Sequence, residues 1–152
     1  MFIDSVMYNR VLDTGNFFTK GWVEDVVRRF KEDEDFRSSV KWVQTLDSDR
    51  MELQWPYVAL ELKELYLTTD CLMADAEVLD TPQGRIIDRF LESGSKFFLA
   101  PRLMWKPLRI DGINIISADS YSYLFFVMKE MRSSPQDLCI LSGELAKVSK
   151  MP

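Results

Sequence analysis

The chain has 152 residues, 47% of them hydrophobic, which is enough for one domain whose core needs neither metal nor disulfide. A formal net charge of −5 argues against a general nucleic-acid binder, and the lack of histidine removes the commonest general base and zinc ligand. No apolar run is long enough to span a membrane, no signal peptide is recognisable, and the cysteines Cys71 and Cys139 suit a reduced, cytoplasmic setting.

The first third of the chain alternates between strand and helix patterns. Residues 2–12 are rich in β-formers and predict a strand, and Gly15 suits the turn that follows. A helix is predicted from Lys20, because five apolar residues recur at helical spacing: Trp22, Val23, Val26, Val27 and Phe30. The acidic run 31–35 should end it. One more helical turn (36–40), a strand (41–46) and a polar loop (47–56) are expected next.

Two hairpins are predicted in the rest of the chain. Alternating apolar residues over 57–67 and 71–79 flank a polar turn at residues 68–70. Asp111-Gly112 between two short alternating segments is a strong signal of a two-residue turn. A strand over 121–129 is apolar on both faces, so we place it centrally in the sheet.

Between these hairpins, residues 81–104 predict a helix followed by a strand. Thr81 is a good N-cap, Pro82 suits the first helical position, and Gly94 suits the residue after the helix. The helix should pack one apolar face on the sheet, formed by Ile86, Ile87, Phe90 and Leu91. The strand that follows, over 96–99, is expected to stop or bend at Pro101, since proline cannot donate to a sheet ladder.

These elements predict an α+β fold: a closed or half-closed, mostly antiparallel β-barrel with two or three flanking helices. The domain should span residues 1–132, and residues 133–152 should form a tail or a short docking helix. On that helix four residues would share one face at spacings of three, four and three, and they are our interface candidates: Leu138, Leu141, Leu145 and Val148. The face would pack either on its own barrel or on a neighbouring subunit.

The sequence offers little catalytic chemistry of a recognisable kind. Without histidine a Ser-His or Cys-His pair cannot form, and a Ser-Lys dyad stays formally open without a motif to support it. Asp47 and Asp49 lack the glycine and downstream glutamate of a calcium loop, so no metal site is assigned. The scattered glycines form no phosphate-binding loop, and no cofactor is expected.

The order and spacing of the elements resemble the prohead core proteases of T4-like tailed phages, a serine protease family related to the assemblins of herpesviruses. The resemblance rests on an N-terminal strand carrying Tyr8-Asn9-Arg10, the hairpin over 57–79, and a helix ending at Ser93-Gly94 before Ala100-Pro101-Arg102. In the family this last place reads Ser-Ser-Arg and holds the nucleophile and an arginine tied to the oxyanion site. The family's histidine, expected here near residues 46–50, has no counterpart.

This resemblance implies a degenerate active site at Ala100, Pro101 and Arg102, and therefore a protein that is not an enzyme. We expect a non-catalytic structural or assembly protein of a tailed-phage particle, found in the virion and in the host cytoplasm during assembly. Its partners would be other phage structural proteins or further copies of itself, with no nucleic acid and no membrane. The alternative is a small acidic phage protein that binds and inhibits a host enzyme.

Overall fold

The computed structural model describes residues 1–45, 52–106 and 108–130, and the backbone of residues 137–138. Its helices are α1 (Lys20–Glu32), α2 (Glu34–Val40) and α3 (Pro82–Glu92), with one turn of 3₁₀ helix at Trp55–Tyr57. None of the described helices is long and apolar enough to cross a membrane.

Eleven strands are present in the part of the chain that is described, and they divide between two sheets. Six form a closed barrel: β1 (Phe2–Met7), β4 (Trp42–Gln44), β5 (Val58–Leu67), β6 (Cys71–Val78), β7 (Phe97–Trp105) and β10 (Tyr121–Glu130). Five shorter ones form the second sheet: β2 (Val11–Leu12), β3 (Asn16–Phe18), β8 (Leu108–Ile110), β9 (Ile113–Ile116) and β11 (Asp137–Leu138).

The barrel confirms the predicted α+β class and its mostly antiparallel barrel. Its strand order is β1-β6-β5-β4-β10-β7, closed by the return of β7 to β1. The β1–β7 and β4–β10 pairs are parallel, and the other four neighbouring pairs are antiparallel. The interior of the barrel joins the buried face of α1 in one core, whose fully buried members include Trp22, Leu60, Leu72, Leu99 and Phe126. The two predicted hairpins, β5–β6 and β8–β9, are both present.

The N-terminal strand is shorter than predicted. Asn9 has a φ of 57°, in the left-handed region, and this residue separates β1 from β2. The Asn9 side-chain oxygen accepts a hydrogen bond from the backbone N–H of Lys20 at 3.1 Å, which holds the bend against the start of α1. The chain then turns at Gly15, with φ of 81°, into β3, which pairs in parallel with β9 about a hundred residues later. This second sheet was not predicted.

Capping residues define the helix boundaries, which lie close to the predicted ones except that α2 begins at Glu34, before the predicted turn over 36–40. The Thr19 hydroxyl accepts from the Trp22 N–H at 3.1 Å and begins α1. Asp33, within the predicted acidic stop, ends α1 and also caps α2 by accepting from the Phe36 N–H at 3.1 Å. Thr81 caps α3 through the Gly84 N–H, and Gly94 follows the helix with φ of 92°.

The packing face predicted for α3 is half wrong. Ile87 is buried at 5% exposure, but Ile86 and Phe90 are 41% and 46% exposed. The reason is Gly84, where an added Cβ would lie 1.9 Å from the carbonyl oxygen of Leu79. Glycine lets the helix backbone approach the end of β6, so the face that packs on the barrel is formed by Gly84, Ile87 and Leu91.

The predicted end of a strand at Pro101 is also wrong, because β7 continues to Trp105. Pro101 lies opposite Phe126 of β10. On the other side of β7, the pairing with β1 joins Asp4 to Phe98, three residues earlier. Beyond that point β7 is paired through β10, and a strand with one free side tolerates a residue that lacks an N–H.

The C-terminal predictions fall mostly outside the described residues. Asp137 and Leu138 pair antiparallel with Leu12 and Val11, so these two residues are in a strand and not in the predicted helix. The candidates Leu141, Leu145 and Val148, the boundary at 132–133 and the pair Asp47 and Asp49 lie outside the described residues.

Candidate functional site

The three predicted site residues lie in the middle of β7, but they do not share a face. Side chains alternate along a strand, and Leu99 and Leu103 point into the barrel core. Ala100 and Arg102 therefore lie on the outer face of the barrel, and Pro101 lies between them on the inner face. Across the ladder, Ala100 is opposite Val127, and Arg102 is opposite Phe125. Positions 100 and 101, which are both serine in the prohead-protease family that the sequence resembles, therefore lie on opposite faces of the strand.

The outer face around Ala100 is buried. Ala100 is 6% exposed, and its β10 neighbours Phe125 and Val127 are 2% and 0% exposed. Gln44 of β4 pairs with Val127 and is fully buried, and its side-chain oxygen accepts from the Gln54 N–H at 2.9 Å. A side chain at position 100 is therefore enclosed by protein in this conformation.

Arg102 is half-buried at the edge of this covered region. Its Nη1 donates to the carbonyl oxygen of Pro101 at 3.1 Å. A backbone carbonyl is thus one acceptor that holds the guanidinium of Arg102.

A serine that sequence reasoning missed lies beside the same stretch of β7. Ser5 of β1 is buried at 8% exposure, and its hydroxyl donates to the carbonyl oxygen of Leu99 at 2.8 Å. The proton of this hydroxyl is therefore committed to the backbone, one residue before Ala100. The position predicted for a family histidine, near residues 46–50, lies outside the described residues. Within the described residues, no cluster of acidic, cysteine or histidine side chains could hold a metal ion.

Cys71 is the other nucleophilic side chain close to β1. Burial, followed by the negative charge of Asp4, raises the pKa of the Cys71 thiol to about 11, although a hydrogen bond with the Ser5 backbone partly opposes the shift. The thiol is therefore protonated at neutral pH, which is the less reactive form.

A second polar cluster, also missed, joins α1 to the start of β10. The Tyr121 hydroxyl donates to Oδ2 of Asp25 at 2.8 Å. Asp25 also pairs with Arg28 at 2.5 Å and with Arg29 at 3.4 Å, one helical turn along α1. Burial, followed by the hydrogen bond to Asp25, raises the pKa of Tyr121, so its hydroxyl keeps its proton.

This cluster borders a cavity of about 70 Å³ between α2 and the start of β10. Its described lining residues are Arg29, Phe36, Ser39, Val40, Tyr121, Ser122, Tyr123 and Leu124. The Arg29 guanidinium lies 5.5 Å from the ring centre of Phe36 and 5.4 Å from that of Tyr121. Aromatic and cationic groups therefore meet at one concave place outside the predicted site.

The fold is shared with a known phage enzyme. No protein-family model matches the sequence, and no curated protein matches it either. Among solved structures, the chain is similar to the bacteriophage T4 capsid assembly protease, gp21, with a TM-score of 0.66 and 13% sequence identity. The match covers 83% of this chain and 80% of that chain.

This likeness confirms the predicted prohead-protease-like fold, and at 13% identity it shows the fold alone. It also corrects one prediction. The inference that the protein is not an enzyme is contradicted, because the fold it shares is that of a protease. Ala100 and Pro101 have no hydroxyl group, but this fact alone does not establish that the protein is inactive.

Proposed function

We propose that this protein takes part in the assembly of a tailed-phage capsid. The observation that carries the proposal is the fold shared, over most of both chains, with a protein whose described role is capsid assembly proteolysis. Because a fold alone does not determine function, we propose a role in capsid assembly and assign no catalytic residue.

The partners we propose are other proteins of the same particle, reached through protein–protein contact. A net charge of −5 supports this choice over the nucleic acid that the particle packages, because like charges repel. From the sequence pattern, the C-terminal residues Leu141, Leu145 and Val148 remain candidates for part of the contact.

Co-expression with the shell and scaffold proteins of a tailed phage that carries this sequence tests the proposal. We expect the tagged protein to sediment with the assembled proheads, while an unrelated acidic protein of similar size stays in the supernatant. Gel analysis of the same proheads, with and without the chain, measures directly whether shell or scaffold protein is cleaved. Full-length protein that stays in the supernatant, in the presence of well-formed proheads, would contradict the proposal.

A variant lacking residues 139–152 keeps β11 and serves as the matched comparison. If the C-terminal residues make the contact, this variant stays folded by circular dichroism and no longer sediments with proheads. Unfolding of the variant would show instead that these residues belong to the core, and sedimentation equal to that of the full chain would place the contact elsewhere.

A further inference from the structure

The cavity beside α2 contains a single charge. Among its described lining residues, Arg29 is the only charged one. The walls around it combine apolar and aromatic residues with the hydroxyl-bearing side chains of Ser39, Tyr121 and Ser122. Such a recess suits an anionic group attached to a short apolar stem.

The Arg29 side chain is held in place before any ligand arrives. Its guanidinium lies against the rings of Phe36 and Tyr121, at 5.5 Å and 5.4 Å. Its Nε pairs with Oδ2 of Asp25 at 3.4 Å. Stacking and this pairing together fix the plane of the guanidinium, which reduces the conformational entropy that binding would otherwise cost.

The guanidinium of Arg29 has more N–H donors than its described partners use. Among the described residues, Asp25 pairs with the Nε of Arg29, and the Tyr121 hydroxyl lies within hydrogen-bonding reach of the guanidinium. The Ser39 hydroxyl, which also lines the cavity, donates to the carbonyl of Phe36, and the Ser122 hydroxyl donates to that of Met104. The unused donors of the cavity therefore belong to the guanidinium, whose fork matches a two-oxygen acceptor.

The charge of the surroundings selects the kind of anion. Asp25 pairs with Arg29 and is not among the described lining residues of the cavity, and it also contacts Arg28 and the Tyr121 hydroxyl. A single guanidinium backed by a carboxylate suits a ligand with one negative charge better than a phosphate dianion, which Asp25 would repel.

We propose that this cavity binds the carboxylate of an aspartate or glutamate side chain on a partner protein, with both oxygens on Arg29 and the methylene stem against Phe36 and Tyr123. That the partner is a capsid-assembly protein rests on the proposed function; the carboxylate site itself does not.

Two short capped peptides, Gly-Glu-Gly and Gly-Gln-Gly, test the site in an NMR titration of the ¹⁵N-labelled protein. The glutamate peptide should shift the amide signals of Ser122, Tyr123 and Ser39 in a saturable way. The glutamine peptide, which has the same shape without the charge, should bind about tenfold more weakly or not at all. Equal shifts with both peptides would overturn the proposal, and so would saturable binding of inorganic phosphate at lower concentration than the glutamate peptide.

Substitutions of two neighbouring arginines supply the matched control. Arg29→Gln should abolish the shifts, and Arg29→Lys should weaken binding because lysine keeps the charge and loses the fork. Arg28→Gln, which removes the other arginine that pairs with Asp25 and does not line the cavity, should bind the glutamate peptide like the parent. Peptide binding by Arg29→Gln equal to that of the parent would contradict the assignment.

The two proposals can fail separately. If the glutamate peptide binds and the protein stays out of proheads, the site stands and the capsid role falls. If the protein sediments with proheads and the peptide leaves the spectrum unchanged, the capsid role stands and the site falls.

Discussion

Cys71 shows how burial of one side chain links reactivity to stability. The folded protein raises the thiol pKa from its ordinary value near 9 to about 11, mainly through burial and secondly through Asp4. The native thiol keeps its proton at pH values where the unfolded thiol has lost it. Because the unfolded state then binds fewer protons, this group's contribution to the free energy of unfolding falls as pH rises from about 9 to 11.

We therefore predict that the parent loses more unfolding free energy than Cys71→Ala between pH 8 and pH 10.5. Urea denaturation at both pH values measures this, in a Cys139→Ser background so that Cys71 is the only thiol. In the same background, alkylation by iodoacetamide at pH 8 should be slow in the folded protein and fast in urea. Equal pH slopes for the two proteins, together with fast alkylation of the folded chain, would contradict the buried, protonated thiol.

At the scale of one element, α3 shows that an apolar pattern identifies a helix more reliably than it identifies the buried face. Four apolar residues span a wide arc, and the sequence gives them equal weight. The structure distinguishes them, since Ile87 is 5% exposed and Phe90 is 46% exposed. The close approach at Gly84 sets the rotation of the helix on the barrel, and that approach depends on a contact with Leu79.

Truncation of these two residues should have different effects. Ile87→Ala removes buried side-chain volume and should lower the free energy of unfolding by about 2–5 kcal/mol. Phe90→Ala removes a largely exposed ring, whose described ring neighbour is Phe97 at 6.4 Å, and should cost less than about 1.5 kcal/mol. Chemical denaturation of both variants makes the comparison, and a larger loss in Phe90→Ala would mean that α3 packs through the face predicted from sequence.

Local signals account for the elements that the sequence predicted well. Caps at Thr19, Asp33 and Thr81 and the Asp111-Gly112 turn act over a few residues, so they are legible without the fold. The β3–β9 pair, the closure of the barrel at β1–β7 and the Tyr121–Asp25 hydrogen bond join residues about a hundred positions apart. No local pattern carries such pairings, so the second sheet and the cavity were missed.

The predicted site shows the same division. The sequence predicted that the strand would stop or bend at Pro101, whereas the structure places Ala100, Pro101 and Arg102 consecutively within one strand. The alternation of faces within β7 follows from the strand continuing past Pro101, which a single proline had argued against. The fold comparison then corrects the functional inference drawn from those residues, since the shared fold is that of a protease.

At the scale of the whole molecule, closure of the barrel gives each of its six strands a paired neighbour on both sides over at least part of its length. The second sheet is open, with β8 and β11 as its edges among the described strands. A closed barrel flanked by helices and a second sheet can present surfaces for protein–protein contacts. An assembly role requires these contacts to be specific. The central claim is that these contacts are made within a phage capsid.

Quantitative mass spectrometry of proheads and mature particles, purified from a tailed phage whose genome carries this sequence, tests that claim most directly. We predict that proheads contain this protein at a fixed copy number relative to the major shell protein, reproducible between preparations. This holds whether or not the protein remains in mature particles. Absence from proheads and particles at every stage of assembly, while the protein is abundant in the infected cell, would contradict the capsid-assembly role.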